Sequence, residues 1–178
     1  SFDYGQRHGV ELQYARWQAK YFNCSSHKIF KIEFYGGSAL TENIDVPQSR
    51  DVESISSGIP ITYVPSRNIV FLSYASGYAE VNDIDNIYIG VNAIDYSGYP
   101  DCRAEFISSM QNVINIGTKM GSENNPAILE TPLINLSKQE IITLGTTLGV
   151  DYSLSVSCYN ANNKLEACGK CDSCYYRK

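Results

Sequence analysis

Four cysteines crowd the C-terminal end of this chain. Cys158, Cys168, Cys171 and Cys174 read as C-x9-C-x2-C-x2-C. Thiolates this close can share one ion, and a tetrahedral zinc needs four such ligands and nothing else. Gly169, directly after Cys168, suits a tight turn because glycine tolerates positive φ and close backbone approach. An iron–sulfur cluster uses similar C-x2-C-x2-C runs and stays open as a second reading, with two disulfides as a third. Read as a chain without a secretory segment, it is expected in a reducing compartment, which favours metal over disulfides. A closed four-thiolate site leaves no position for substrate, so it holds a fold together. The chemistry must lie elsewhere.

Composition narrows where. The 178 residues, 43% hydrophobic and 19% charged, fit one soluble globular domain. Net charge is -5 with only 14 Lys and Arg, which argues against a broad nucleic-acid surface. No run approaches the roughly 20 apolar residues of a membrane helix, so a cytoplasmic protein without a membrane partner is expected. The other two cysteines, Cys24 and Cys102, read as plain buried residues. The surplus of 14 Tyr suits a homodimer interface and a packed sheet equally. The chain begins at Ser1 without an initiator Met and reads as a fragment.

The elements that must position any site follow from hydrophobic period. Residues 1–7 read as a polar and aromatic loop. A helix starts near His8, with Leu12, Ala15, Ala19 and Phe22 on one face and Val10, Tyr14, Trp17 and Tyr21 near another, as if packed on two sides. Residues 28–34 alternate as a strand. Residues 36–65 show little periodicity and read either as a substrate lid or as a disordered insertion. The next helix opens at Val64-Pro65-Ser66-Arg67-Asn68 and turns Phe71, Ala75, Tyr78 and Ala79 inward. Residues 86–92 are a near-continuous apolar run, a strand buried on both faces. A polar loop leads to a helix with Phe106, Met110, Val113, Ile114 and Gly117 at helical spacing, then to a strand over 127–134 ending near Pro132. Ser137-Lys138-Gln139-Glu140 is a capping box, and Gly149 stops the helix it starts. Alternating strands and helices predict an α/β fold with a parallel sheet. Residues 1–150 form its ligand-binding domain, and residues 151–178 a zinc-binding subregion packed on it.

In such sheets ligands bind beyond the carboxyl ends of the strands. Two polar clusters fall there. Arg67, beside Asn68 at a helix start, can grip a phosphate or carboxylate in a forked geometry; the plainer reading is a surface Arg beside a capping Asn. Asn92, Asp95, Tyr96, Tyr99, Asp101, Arg103 and Glu105 can accept from and stack on a purine-like base; the plainer reading has Asp101 capping the helix that follows. His8 and His27 have no triad partners, and no Gly-rich phosphate loop appears.

Together, residues 1–8 (Ser-Phe-Asp-Tyr-Gly-Gln-Arg-His), 64–68, 90–103 (Gly-Val-Asn-Ala-Ile-Asp-Tyr-Ser-Gly-Tyr-Pro-Asp-Cys-Arg), Glu130-Thr131-Pro132-Leu133, residues 155–160 and the cysteine tail closely resemble the 7-cyano-7-deazaguanine synthase (QueC) family. The resemblance spans essentially the whole chain. It implies an adenine-nucleotide α-hydrolase-like (Rossmann-like) sheet, kinship with ATP pyrophosphatases, and a structural zinc on Cys158, Cys168, Cys171 and Cys174. It implies an ATP- and Mg²⁺-dependent ligase that turns 7-carboxy-7-deazaguanine and ammonia into the 7-nitrile, in the synthesis of queuosine precursors. On that reading Asn92, Asp95, Tyr99, Asp101 and Arg103 line the deazapurine pocket. Arg67 is the catalytic candidate, on the nucleotide phosphates or the substrate carboxylate, and Gln6 and Arg7 are nucleotide-binding candidates in the same cleft. The family's Ser-Gly-Gly-x-Asp-Ser phosphate loop and the strand before it are not in the chain. About 30–40 further residues, one strand–loop–helix unit, are expected ahead of Ser1, and residues 1–178 alone are not expected to turn over ATP. A related ATP pyrophosphatase with another substrate, a non-catalytic zinc module and an iron–sulfur electron carrier are the competing readings.

Overall fold

Two pairs of parallel strands, each flanked by helices, carry this mixed α/β chain in a computed structural model that describes residues 1–7, 9–33, 36–48, 58–92, 98–162 and 166–177. The chain divides into two units, residues 1–65 with 142–178 and residues 66–141.

In the first unit, strand β1 (Phe2–Asp3) pairs in parallel with β2 (Phe30–Lys31), Phe2 opposite Phe30 and Asp3 opposite Lys31. The two phenyl rings lie 5.8 Å apart between centroids, a cross-strand aromatic pair. The stretch read as a loop at 1–7 is therefore partly strand; two residues are too few for alternation to show. Helix α1 (Val10–Tyr21) follows. Gln6 shapes the turn between them: its Oε1 accepts from the Tyr4 N–H at 2.8 Å, while its Nε2 donates to Phe2 O and to Glu11 Oε1. No residue of α1 is buried, and Trp17, Tyr21 and Phe22 are largely open, so the two-sided packing expected of this helix is not found. It is tethered instead by polar bonds, Gln18 Nε2 to Leu154 O and the Tyr21 hydroxyl to Gly149 O.

The described parts of the stretch read as a lid or a disordered insertion are packed, which does not fit the disordered reading. Ser38 and Ala39 are fully buried, and Leu40, Val46, Thr62 and Val64 nearly so. Ala39 donates its N–H to Ile61 O, tying the two arms together. Packing here rests on single small residues and not on a period, which is why the sequence pattern hides it. Residues 49–57, the middle of that stretch, lie outside the described residues.

In the second unit, β3 (Asn86–Tyr88) pairs in parallel with β4 (Ile128–Glu130), Ile87 opposite Leu129. Helices α2 (Arg67–Val81), α3 (Ala104–Gly117) and the short α4 (Lys119–Ser122) accompany them. Their core joins Leu72 and Ala79 of α2, Ile87, Val91, Leu129, and Ile107, Met110 and Ile114 of α3. The expected faces hold at Ala79, Met110 and Ile114, which are buried, with Ala75 and Phe106 packed on the core, but Leu72 and Ile107 are buried as well and Val113 is 55% exposed. Nor is β3 buried on both faces, since Ile87 points inward and Tyr88 is 70% exposed. Gln111 fastens α3 to β4, donating to Ala127 O and accepting from the Leu129 N–H at 2.7 Å.

Helix α5 (Lys138–Thr147) has the ends its sequence predicts. Glu140 Oε2 accepts from Ser137 N and Oγ, and Ser137 Oγ accepts from Glu140 N. At the other end Gly149, at φ 78°, lets its own N–H reach Thr146 O and that of Val150 reach Gly145 O, a Schellman closure. Among the described residues no helix is long and apolar enough to cross a membrane.

Two outcomes are expected. Ile114, 2% exposed, should cost about 2–5 kcal/mol when cut to Ala. Ile116→Ala, at an 82% exposed position of the same helix, should stay within about 0.5 kcal/mol, both read by urea denaturation. The Ser137 hydroxyl, then its N–H, holds the Glu140 carboxyl below its ordinary 4.5. A depressed folded value means that the box stabilises α5 above that pH and is lost as pH falls through the folded value. An NMR titration should show Glu140 titrating low, and Ser137→Ala should raise it only part of the way back, because the residue 137 N–H still donates to the carboxylate.

Candidate metal centre and adjoining cleft

The four cysteines of the first unit converge. Their Sγ atoms all lie within 4.8 Å of one another, with Cys168 and Cys174 at 4.0 Å, and none is in a disulfide. Zinc–sulfur bonds of about 2.3 Å set at tetrahedral angles need sulfurs about 3.8 Å apart, so the cluster fits a single ion after small adjustments. Backbone builds this geometry. Gly169 takes φ 70° and turns the chain between Cys168 and Cys171, so that the N–H groups of Lys170 and Cys171 both point at Cys168 Sγ from 3.4 Å. Cys158 Sγ likewise accepts from Asn160 N and Cys168 N, at 3.3 and 3.2 Å. Helix α6 (Asp172–Arg177) then carries Cys174 back to the cluster.

Electrostatics ask for a cation. Burial pushes the Cys158 thiol up, with the N–H groups of Cys168 and Asn160 only partly opposing it. Burial also works upward on Cys168, but N–H donation from Lys170 and Cys171 and its sulfur neighbours outweigh it and bring that thiol to about 7. Burial and the sulfurs of Cys171 and Cys158 push Cys174 up to about 12. One thiol is ready to ionise while two resist, and a bound cation is what lets all four become thiolates together. Cys158, Cys171 and Cys174 are buried among Ala39, Ile44, Val46 and Val156. Gln48 forms an antiparallel bridge with Cys171.

In the same unit, the carboxyl ends of β1 and β2 open onto a cavity of about 640 Å³. Asp3 ends β1 and Tyr4 follows it, Lys31 ends β2 with Glu33 two residues beyond, and Thr41 and Glu42 close the side. Gln6 and Arg7 come directly after Gly5 of its wall. Their side chains are engaged in shaping it: Gln6 in the turn described above, Arg7 through Nη1 donating to Ile44 O at 2.7 Å. Thr41 and Glu42 went unnoticed in the sequence because they sit in its aperiodic stretch.

The second unit brings together Asn68 and Asp101. Asp101 is 4% exposed, and its Oδ2 accepts from the Asn68 N–H at 3.0 Å. Asn68 Nδ2 donates in return to Asp101 O at 2.9 Å and lies 3.3 Å from Cys102 Sγ. Ser66, at φ 58°, gives α2 no side-chain cap, and Asp101 supplies one from a distant turn. It thus caps the helix before it, not the one after it. Arg67 and Arg103 stand beside these two residues in sequence; Arg103 Nη1 is 4.0 Å from Glu105. Asn92 is buried and Tyr99 packs against the core of this unit. Asp95 and Tyr96 lie outside the described residues, as does His8. Cys102 is buried as expected, but Cys24 is exposed, contrary to its reading as a buried residue; it follows the end of α1 at an open turn. His27 is an exposed residue whose Nε2 lies 2.9 Å from Ser1 Oγ.

With metal bound, a thiol reagent should therefore meet Cys24 quickly and the cluster slowly. Adding a chelator should release about one ion per chain and make Cys168 the first thiol of the cluster to react, with Cys158 and Cys174 slower. Cys171→Ser should fail to retain the ion through dialysis, and acidification should weaken retention, because protons compete for the same sulfurs.

The comparisons with known proteins agree on one family. The model of "Queuosine biosynthesis protein QueC" matches residues 1–178. A 7-cyano-7-deazaguanine synthase of Acetivibrio thermocellus is 56% identical over 178 residues, covering 99% of this chain and 78% of that protein. Proteins of the same name from Cellvibrio japonicus and Pseudomonas aeruginosa are each 54% identical, over 100% and 99% of this chain and 78% of their own lengths. A match along the whole chain at this level of identity has one meaning: the chain belongs to the queuosine biosynthesis protein QueC family.

Proposed function

We propose that this protein is a 7-cyano-7-deazaguanine synthase, an ATP-dependent ligase that converts 7-carboxy-7-deazaguanine and ammonia to the 7-nitrile. The observation that carries the reading is the family match over all 178 residues. The cavity at the carboxyl ends of β1 and β2 supports it, since parallel sheets bind nucleotides there. A carboxylate is a poor electrophile. Attack of its oxygen on the α-phosphorus of ATP expels pyrophosphate and gives an acyl adenylate. Ammonia adds to that carbonyl, AMP leaves, and an amide results. A second ATP activates the amide oxygen in the same way; loss of AMP and protons then leaves the nitrile.

Each activation gathers negative charge on phosphate, and the protein must meet it with fixed donors. Arg67, at the start of α2, is the group assigned to the nucleotide phosphates or the substrate carboxylate, where its fork matches the oxygens. Asn92, Asp95, Tyr99, Asp101 and Arg103 are assigned to the deazapurine. For Asp101 the bonds to Asn68 favour a supporting part, holding Arg67 and Arg103 in place around that ligand. Gln6 and Arg7 serve the nucleotide by shaping the turn next to the cleft wall. Mg²⁺, bound with ATP, would neutralise its phosphates. Zinc is the ion assigned to Cys158, Cys168, Cys171 and Cys174; four sulfurs this close suit one metal atom better than a cluster, which must seat several irons between them. The acidic balance of the chain, -5, goes with a small-molecule substrate and no nucleic-acid surface, in the cytoplasm.

The test is turnover by the full-length protein. AMP and pyrophosphate should form only with the carboxy-deazapurine present, at two per nitrile, with the amide trapped when ATP is limiting. Arg67→Ala should lower kcat/KM by about 10²–10³; unchanged kcat/KM would remove Arg67 from the mechanism. Iron in place of zinc, with a coloured protein, would overturn the metal assignment.

A further inference from the structure

The segment from Ser38 to Gln48 touches both features of the first unit. On one side Ala39, Ile44 and Val46 pack against Cys158, Cys171 and Cys174, and Gln48 bridges Cys171 through the backbone. On the other, Thr41 and Glu42 form part of the cavity wall. Between these contacts the segment is locked. Ser38 O accepts from the N–H groups of both Thr41 and Glu42, at 3.1 and 3.0 Å, and Ser38 Oγ accepts from Leu40 N. Arg7 grips it twice, its N–H donating to Leu40 O at 2.9 Å and its Nη1 to Ile44 O at 2.7 Å. Ser38 and Ala39 are fully buried, so the tight turn cannot shift without disturbing its neighbours.

We infer that this segment is a strut between the four-cysteine centre and the cleft, positioning Thr41 and Glu42 so that metal occupancy sets how tightly the cleft holds its ligand. Val46 and Gln48 are the positioning residues at the metal end. With the ion bound, four sulfurs are drawn together and Cys171 offers Gln48 a fixed edge. Without it the sulfurs separate, the packing on Ala39 and Val46 loosens, and the Thr41–Glu42 turn loses its footing. The plainer alternative is that the metal steadies only the C-terminal residues and the segment is ordinary core. The two differ in what metal removal does at a distance from the cysteines. That the ligand is ATP rests on the function proposed above; the strut itself does not.

The experiment compares full-length protein loaded with metal and stripped by chelator under reducing conditions, following amide hydrogen exchange by mass spectrometry and titrating Mg·ATP by calorimetry. Stripping should speed exchange across 38–48 while α3 keeps its protection, and should weaken ATP binding about 5- to 100-fold. A Val46→Ala variant guards against simple unfolding. It should retain about one metal ion and a protected α3, yet exchange faster over 38–48 and bind ATP more weakly, with Val46→Ile restoring both. Unchanged protection over 38–48 on stripping overturns the inference, as does loss of protection in α3 to the same degree. So does unaltered ATP affinity in Val46→Ala. If loaded protein binds no ATP, the nucleotide assignment of the cleft fails, and exchange over 38–48 still decides the strut.

Discussion

Four sulfurs held within 4.8 Å of one another are the constraint on which the first unit turns. As thiols they offer weak donors and no strong bond; as thiolates they repel. Either way the cluster has little reason to stay closed except around a cation. The protein has nonetheless invested in its geometry: a glycine at φ 70°, four N–H groups aimed at two sulfurs, and a dry shell of Ala39, Ile44, Val46 and Val156. Three of those four residues, Ala39, Ile44 and Val46, come from a chain segment more than a hundred residues away. The centre is therefore a join between distant parts of the sequence and not a local tail ornament.

The second unit is joined by different physics. Its core is ordinary apolar packing of α2 and α3 on two strands. What is particular is the buried exchange between Asn68 and Asp101, which satisfies a helix N-terminus with a carboxylate from a turn some thirty residues on. A buried carboxylate is tolerated because it is bonded, and removing either partner would leave the other's polar group stranded. The cap draws Asn68 and Asp101, thirty-three residues apart, into one buried polar pair, with Arg67 next to the first and Arg103 two residues past the second.

Much of this was legible in the residues. The cysteine spacing named its own geometry, Ser137–Glu140 closed as a capping box, and Gly149 ended α5 with the hydrogen bonds its position predicts. These are local patterns whose partners lie within a few residues. The losses were of three kinds. Strands β1 and β2, two residues each, are too short for alternation. Burial at Leu72 and Ile107 was missed, because a step of one residue turns a face by about 100° and several faces here carry apolar side chains. The packing around Ala39 and Val46 was hidden because its order comes from contacts far along the chain. Asp101 was singled out for its charge and position, but only the fold could show that its partner was Asn68.

The division of the chain has a consequence for biosynthesis. The second unit is continuous, residues 66–141. The first is assembled from residues 1–65 and 142–178, with the whole second unit emerging from the ribosome between them. Residues 38–48 must wait, with the apolar surface of Ala39 and Val46 uncovered, until the cysteines at the far end are made. An already folded intervening unit shortens the loop to be closed, which lowers the entropic cost of that late meeting only modestly. Closure of the four sulfurs around an ion can therefore come only after the second unit and the residues from 142 onward have been made.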